Sequence, residues 1–497
     1  MDSSALLTVN DLSFRYPDLG SPAEKAVFDG LSLSVAEGRM TVVLGPADAG
    51  KTTLARILAG LVPRFSGGRL SGRIDLRGTD VMTARPWELM DRVGVIAQDS
   101  DEQILTTRCD TEVAFALESL GIPRGRMIAK VGESLAVMGL SAFASRNPAT
   151  LSGGEKKRLL LACLAAIGPD LWILDESLAE LDRSWRDAVL DILRDDGRTV
   201  LALDSRWSVL LAERGRTFAI LAEGRIAAES DSPHEPEFLG SLASHGIIGR
   251  GRRAGPLRGG TAPFLKAEKI RFRFPGSEGF ELYVESLELA RGEIAALVGS
   301  NGCGKSTLGK ILCGLHVPVE GRVSLADEDG AFRPAVPEKL NGSVGYLFQN
   351  PDHQIYLPTV RDELALGLRL QGATRPEIDR RVEEAVELFS LPDLSAPPAL
   401  MSYGSRRRLQ AATYYLLSRG LLVLDEVDAG LSTREVQTLL EALFSRRPGI
   451  VLITHDLVLA TSTCSRIIAM EAGRLVGDYR PEEYDRLARA SGPGGAG

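Results

Sequence analysis

Two lysines sit in matching surroundings. Lys51 ends the run Gly45-Pro46-Ala47-Asp48-Ala49-Gly50 and is followed by Thr52 and Thr53; Lys305 ends Gly299-Ser300-Asn301-Gly302-Cys303-Gly304 and is followed by Ser306 and Thr307. Both runs fit G-x-x-x-x-G-K-[S/T], a glycine-rich loop whose backbone amides cradle phosphate. The lysine neutralises the β- and γ-phosphates, and the hydroxyl of Thr52 or Ser306 reaches a Mg²⁺ ion. Farther along, the apolar runs Leu171-Trp-Ile-Leu and Leu421-Leu-Val-Leu end in Asp175-Glu176 and Asp425-Glu426, 250 positions apart. A carboxylate ending a buried strand suits Mg²⁺, so Asp175 and Asp425 are candidate metal ligands. Glu176 and Glu426, one residue on, are placed to orient or deprotonate an attacking water.

The elements that must hold these groups recur in the same order. Strand-like Met40–Leu44 and Ile294–Val298 precede the loops, and the helical patterns TLARILAGL and TLGKILCGL follow them. Helix-start amides aimed at an anion need this strand–loop–helix context. The lysines are 254 positions apart, while Leu151-Ser152-Gly153-Gly154-Glu155 and Met401-Ser402-Tyr403-Gly404-Ser405 are 250 apart, as are Val200–Arg206 and Ile450–Asp456. The chain therefore reads as a tandem duplication. The first unit covers 5–245, a Gly/Arg/Pro-rich linker 246–263, and the second unit 264–490, with a loose tail after it. Alternating strand-like and helical segments predict an α/β fold around a largely parallel sheet.

Length alone, at 497 residues, suggests about three domains; the repeat reduces that to two. With 44% hydrophobic and 25% charged residues the composition is that of a soluble globular protein. The longest apolar run, Leu159–Ile167, falls well short of the ~18–20 residues of a membrane span. MDSSALLTVNDL lacks a basic segment followed by an apolar one, so a secretory leader is not expected. Five scattered cysteines (109, 163, 303, 313, 464) form no C-x-x-C pair and fit a reducing compartment. A net charge of −8 argues against a general nucleic-acid binder. His234, His245, His316 and His353 lack metal-ligand spacing and read as surface or loop residues. The basic triplets Lys156–Arg158 and Arg406–Arg408 read either as solvated helix faces or as groups approaching phosphate or a partner.

The succession of P-loop, glutamine loop, S-G-G signature, Asp-Glu strand end and histidine switch resembles the ATP-binding-cassette ATPases over nearly the whole chain. The resemblance implies two tandem ABC-type P-loop ATPase domains. Each would be a mainly parallel core sheet with helices, an antiparallel β subdomain and a helical signature subdomain. It implies ATP and Mg²⁺, ATPase activity, and intramolecular head-to-tail pairing of the two domains. Gln98 and Gln349 would touch the metal or the water, and His455 the γ-phosphate. Ser152, Gly153 and Gly154 in one half, and Ser402 and Gly404 in the other, would address ATP held by the opposite P-loop. Tyr16 and Phe274 occupy positions where the family stacks adenine, a core aromatic being the alternative. Phe348-Gln-Asn-Pro-Asp-His-Gln354 resembles the Q-N-P-D-x-Q stretch of energy-coupling-factor ATPases; Ala97-Gln-Asp-Ser-Asp-Glu-Gln103 is a looser copy without the proline. That subfamily implies import of a vitamin, metal ion or precursor and separate integral membrane transporter subunits. It also implies peripheral attachment at the cytoplasmic side of the membrane and no nucleic-acid partner. The alternatives are a soluble tandem cassette acting on ribosomes or nucleic acid, the fused ATPase of a sugar-type importer, and a non-transport protein of DNA repair or metal-cluster assembly.

The two copies differ where the family is chemically strict. Ser205 stands where the second half has His455, Tyr403 where the first has Gly153, and Ser432 where the first has Asp182. Under head-to-tail pairing all three departures fall on the site of Lys51, Gln98, Asp175 and Glu176. The site of Lys305, Gln349, Asp425, Glu426 and His455 keeps the family pattern. The expectation is one hydrolysing site and one that binds ATP and turns over slowly, although Glu176 is retained.

Overall fold

Short runs of β-branched and aliphatic residues become strands buried on both faces, the pattern that parallel sheets covered by helices require. A computed structural model of the chain describes residues 5–17, 26–178, 181, 183–206, 216–248, 262–274, 280–391 and 393–490. Asp182, the tail after 490 and 249–261 of the expected linker lie outside them. The chain divides into two units, Met1–Arg250 and Gly251–Gly497.

In the first unit the strands are β1 (Ala5–Arg15), β2 (Ala26–Ala36), β3 (Met40–Leu44), β4 (Arg69–Leu76), β5 (Thr79–Asp80), β6 (Val93–Ile96), β7 (Leu171–Asp175), β8 (Thr199–Asp204), β9 (Arg216–Ala222) and β10 (Arg225–Ser230). One sheet has the order β2-β1-β4-β5 and the other β10-β9-β3-β8-β7-β6. The first is antiparallel. In the second, β9 through β6 run parallel and only β10 is antiparallel. One core cluster joins Leu6, Phe14, Phe28, Leu54 and Ile57 between the antiparallel sheet, the P-loop helix and β7–β8. A second joins the other face of the parallel strands to the helices Cys109–Ser119, Arg124–Val137 and Gly153–Ile167. Ile247 is fully buried in that second cluster.

The second unit repeats the plan with β11 (Pro263–Phe272), β12 (Leu282–Ala290), β13 (Ile294–Val298), β14 (Glu320–Ala326), β15 (Phe332–Pro334), β16 (Val344–Leu347), β17 (Leu421–Asp425), β18 (Gly449–Ile453), β19 (Arg466–Glu471) and β20 (Arg474–Tyr479). Its strands form one sheet of order β15-β14-β11-β12-β20-β19-β13-β18-β17-β16. The antiparallel and parallel halves are joined by a single pair, Tyr283 with Arg474.

The order β3-β8-β7-β6, repeated as β13-β18-β17-β16, decides where chemistry can occur. The P-loop, the switch segment, the Asp-Glu pair and the glutamine loop each leave the carboxyl end of one of these neighbouring parallel strands. Ligands of open α/β sheets bind at that edge.

Candidate functional site

Each P-loop ends in a glycine that turns the chain into a helix. Gly50 (φ +99°) and Gly304 (φ +103°) precede the helices Lys51–Leu58 and Lys305–Leu312, and no side chain caps either one. A Cβ at Gly50 would lie 2.8 Å from the Phe28 ring, and at Gly304 2.9 Å from Phe280. Only glycine fits, and the first helical amides stay available to an anion. Lys51 Nζ donates to the carbonyls of Gly45 (2.8 Å) and Pro46 (2.9 Å). Lys305 makes the same pair of bonds, at 2.9 Å each, to Gly299 and Ser300. The loops differ at one position that sequence reading passed over. Gly302 has φ +76° and its counterpart Asp48 φ +65°, a conformation aspartate tolerates better than most residues. Asp48 thereby adds an exposed carboxylate to a loop built for anions.

The strand-end carboxylates are buried in both units. Burial first, and the neighbouring glutamate second, push Asp175 and Asp425 up to about 6. Neither oxygen of Asp175 meets hydrogen-bond geometry with another described residue, though the Thr52 hydroxyl stands near enough to favour its charged form. Asp425 instead accepts from Ser306 Oγ at 3.0 Å and Tyr346 OH at 2.5 Å. Val95 stands at Tyr346's place in the first unit. A hydroxyl and a carboxylate beside uncapped helix amides form a hard oxygen set that fits Mg²⁺ with nucleotide phosphates. The Asp175 oxygens fit it too.

Glu176 and Glu426 both adopt the left-handed backbone, φ +50° and +48°. Their amides are held by Leu203 O (2.8 Å) and Ile453 O (2.9 Å). This bend, which costs roughly 1–2 kcal/mol in a non-glycine residue, is the same in both copies. Gln98 Nε2 donates to Glu176 at 3.3 Å and Gln349 Nε2 to Glu426 at 2.7 Å. His455 Nε2 lies 3.2 Å from Glu426 Oε1 without the alignment of a hydrogen bond, so in the second unit the imidazole stands beside the Gln349–Glu426 pair. In the first unit Ser205 is fully buried and its hydroxyl finds no partner among the described residues; Glu176 there lies 3.5 Å from Lys51.

The signature helices correct one reading. The basic triplets are not solvated faces. Lys157 and Arg407 are 0% exposed, and each is solvated by carbonyls of its own glutamine loop. Lys157 Nζ donates to Ala97 O (2.8 Å) and Gln98 O (2.6 Å). Arg407 donates to Phe348 O (2.6 Å) and to Gln349 O. Lys156 pairs with Asp101 at 2.5 Å and Arg406 with Asp352 at 3.2 Å, while Arg158 donates to Met138 O at 3.0 Å. Tyr403, at the place of Gly153, turns its hydroxyl back to donate to Gln349 O at 2.9 Å and to accept from Arg407 at 2.9 Å.

Ser152 and Ser402 both cap their signature helices, through the amides of Glu155 (3.4 Å) and Ser405 (3.1 Å). Gly153 is the first residue of its helix and Gly154 and Gly404 are buried in the first turns. Ser432 is the buried N-cap of the helix Thr433–Phe444, in a reciprocal box with Glu435.

Further positioning groups were legible only as repeats. Gln103 takes Ala97 N (2.7 Å) and gives to Val95 O (2.9 Å); Gln354 takes Phe348 N (3.1 Å) and gives to Tyr346 O (2.8 Å). Buried Glu112 accepts from the amides of Leu105 and Thr106, and Glu363 from Tyr356 and Leu357. Their recurrence at one spacing in both halves was the available signal. The aromatic candidates differ. Tyr16 OH lies 3.2 Å from Thr53 Oγ1, beside the P-loop helix. Phe274, 40% exposed, meets Phe272 and His316 edge-on. His316 also stacks on Phe272, with ring centroids 5.2 Å apart.

The model of the family described as ABC transporter matches residues 28–179 and 284–429, well over half of the chain. A Bacillus subtilis protein with the provisional name HMP/thiamine import ATP-binding protein YkoD is 30% identical over 96% of this chain and 92% of its own. A Methanosarcina acetivorans protein, provisionally named an ABC transporter ATP-binding protein, is 30% identical over 96% of this chain and 91% of its own. A solved structure of ribosome-bound archaeal Pelota and ABCE1 covers 97% of this chain and 80% of that one, with TM-score 0.65 and 19% identity, a likeness of fold alone. Two P-loops, each with its Asp-Glu pair at one sheet edge, and a family match in each half leave one classification: the chain belongs to the ABC transporter family, as a tandem ATPase that uses ATP with Mg²⁺.

Proposed function

We propose that the chain is the ATP-hydrolysing subunit of an energy-coupling-factor-type importer, moving a vitamin, metal ion or precursor through separate integral membrane subunits. It would sit peripherally at the cytoplasmic face. The observation that carries this reading is the build of the glutamine loops. In the second unit Asn350 caps the turn Pro351–His353, Gln354 fastens the loop to β16, and Glu363 holds the amides beyond it. The result is a braced segment whose tip, Tyr356, is 75% exposed; Leu105 is 70% exposed at the matching place in the first unit. An apolar tip fixed beside the glutamine that meets Glu426 suits a protein partner that follows the state of the nucleotide. The import function in the name of the Bacillus relative agrees with it. Among the described residues no helix is long and apolar enough to cross a membrane, so these residues offer no helical path for the solute. Affinity purification from membranes tests the reading: integral subunits should co-purify, and Tyr356→Asp with Leu105→Asp should release them. Recovery of ribosomes without any integral protein would overturn it.

Within this reading residues 5–245 and 264–490 are the two ATPase domains. Lys51 and Lys305 bind phosphate together with the loop amides of 45–53 and 299–307. Thr52, Ser306, Asp175, Asp425, Gln98 and Gln349 hold Mg²⁺ or its water, and the ion supplies charge neutralisation at the phosphates. Glu426 takes the proton of the attacking water at Oε, with Gln349 holding its carboxylate and His455 beside it, placed for the γ-phosphate. Tyr16 and Phe274 stack adenine. The Lys51 site, with Ser205 and Asp48, is the slow one.

A further inference from the structure

The geometry points to Tyr403 and Arg407 as a clamp that positions Gln349 for the hydrolytic step of their own unit. This rests on Gln349 serving that step, as proposed above. Family pairing assigned Tyr403 to the Lys51 site; its side chain contacts the other machinery. The Gln349 carbonyl accepts from Tyr403 OH at 2.9 Å and from Arg407, while the Gln349 side chain donates to Glu426 at 2.7 Å. Arg407 also donates to Phe348 O at 2.6 Å and to Glu426 O at 3.3 Å, and its guanidinium lies 5.1 Å from the Tyr403 ring centroid. One fully buried cation thus ties the signature helix, both carbonyls of the loop and the backbone of Glu426. With Gln410 also donating to Phe348 O at 3.2 Å and Phe348 N to Gln354 at 3.1 Å, these restraints on two successive residues leave Gln349 little freedom.

The first unit performs the same task with different parts. Gly153 has no side chain, and Lys157 alone spans Ala97 O and Gln98 O. Gln98 then reaches Glu176 at the longer 3.3 Å. Tyr403 therefore belongs with Arg407: the planar guanidinium has more donors to satisfy than an ammonium and a flat face for the Tyr403 ring, and the tyrosine supplies both a further acceptor and that ring.

The test uses the full-length protein and two readouts. Tyr403→Phe keeps the ring and removes the donor. It should speed amide exchange over 348–354 in nucleotide-free protein and lower kcat about tenfold, the usual scale for losing a group that orients a metal-site ligand. KM for ATP should stay within about twofold, since the hydroxyl removed is engaged with Gln349 O and Arg407. Tyr403→Gly should behave likewise, and adding Arg407→Lys should restore kcat by reproducing the Gly153–Lys157 pair. Unchanged exchange in Tyr403→Phe overturns the clamp. So does a joint loss of kcat, KM and thermal stability that Arg407→Lys fails to rescue, because that marks a merely structural tyrosine. Undiminished turnover in Glu426→Gln would count against the site assignment instead, and the exchange readout stands apart from it.

Discussion

At the scale of residues, Asp175 and Asp425 show how one side chain is made a metal ligand by its surroundings. Burial and an adjacent glutamate raise both to about 6. In the unfolded chain they titrate near 4. The folded, metal-free protein therefore holds these protons more tightly. The two groups weaken folding above about pH 6, and that handicap fades as the pH falls toward 4. Metal binding has the opposite dependence, since only the carboxylate binds. Mn²⁺ affinity and ATPase activity should both drop as the pH falls through about 6, and a titration followed by electron paramagnetic resonance checks it. These aspartates, the lysines and the glutamates were legible because motif spacing ties them to one strand end. Lys157 and Arg407 were not. A Lys/Arg triplet reads as solvated or as reaching for phosphate or a partner, and the carbonyls that accept from its middle member lie 59 and 58 positions away.

At the scale of elements, caps and turns explain departures that looked purely functional. Ser432 replaces the usual aspartate, yet it caps Thr433–Phe444 through Glu435 N and is 0% exposed. Ser432→Ala should cost about 1 kcal/mol of stability, read as a lower urea midpoint with unchanged slope. If stability is unchanged and only turnover shifts, the residue serves the nucleotide and not the helix. The strands and P-loop helices were legible from apolar runs bounded by glycine. The glutamine loops were legible as motifs but not as braced structures, because Gln103, Gln354, Glu112 and Glu363 act on backbone amides that carry no sequence signature. The antiparallel sheets and helical subdomains came from family resemblance, since alternation of strand and helix alone did not specify them.

At the scale of the whole molecule the chain is one plan built twice with unequal finish. The second unit gathers Gln349, Glu426 and His455; the first has Gln98 and Glu176 with a buried serine and an acid in its P-loop. Glu426→Gln should remove nearly all ATPase activity, about a hundredfold or more, whereas Glu176→Gln should leave most of it. Equal losses would mean equal sites. The clamp on the glutamine loop also limits how such a duplicated gene can exchange its parts. In the second unit Gln354 is held by Gln410 and by Tyr414 OH, at 2.8 Å for the latter; the first unit has Leu160 and Leu164 at those places. Copying the first signature helix into the second half would remove two of Gln354's partners and leave only the backbone pair that Gln103 also makes, and the reverse copy would bury a glutamine and a tyrosine where Leu160 and Leu164 pack. Each signature helix is thus fitted to its own surroundings, and swapping helices between the halves should cost stability, which opposes piecemeal homogenisation of the repeats.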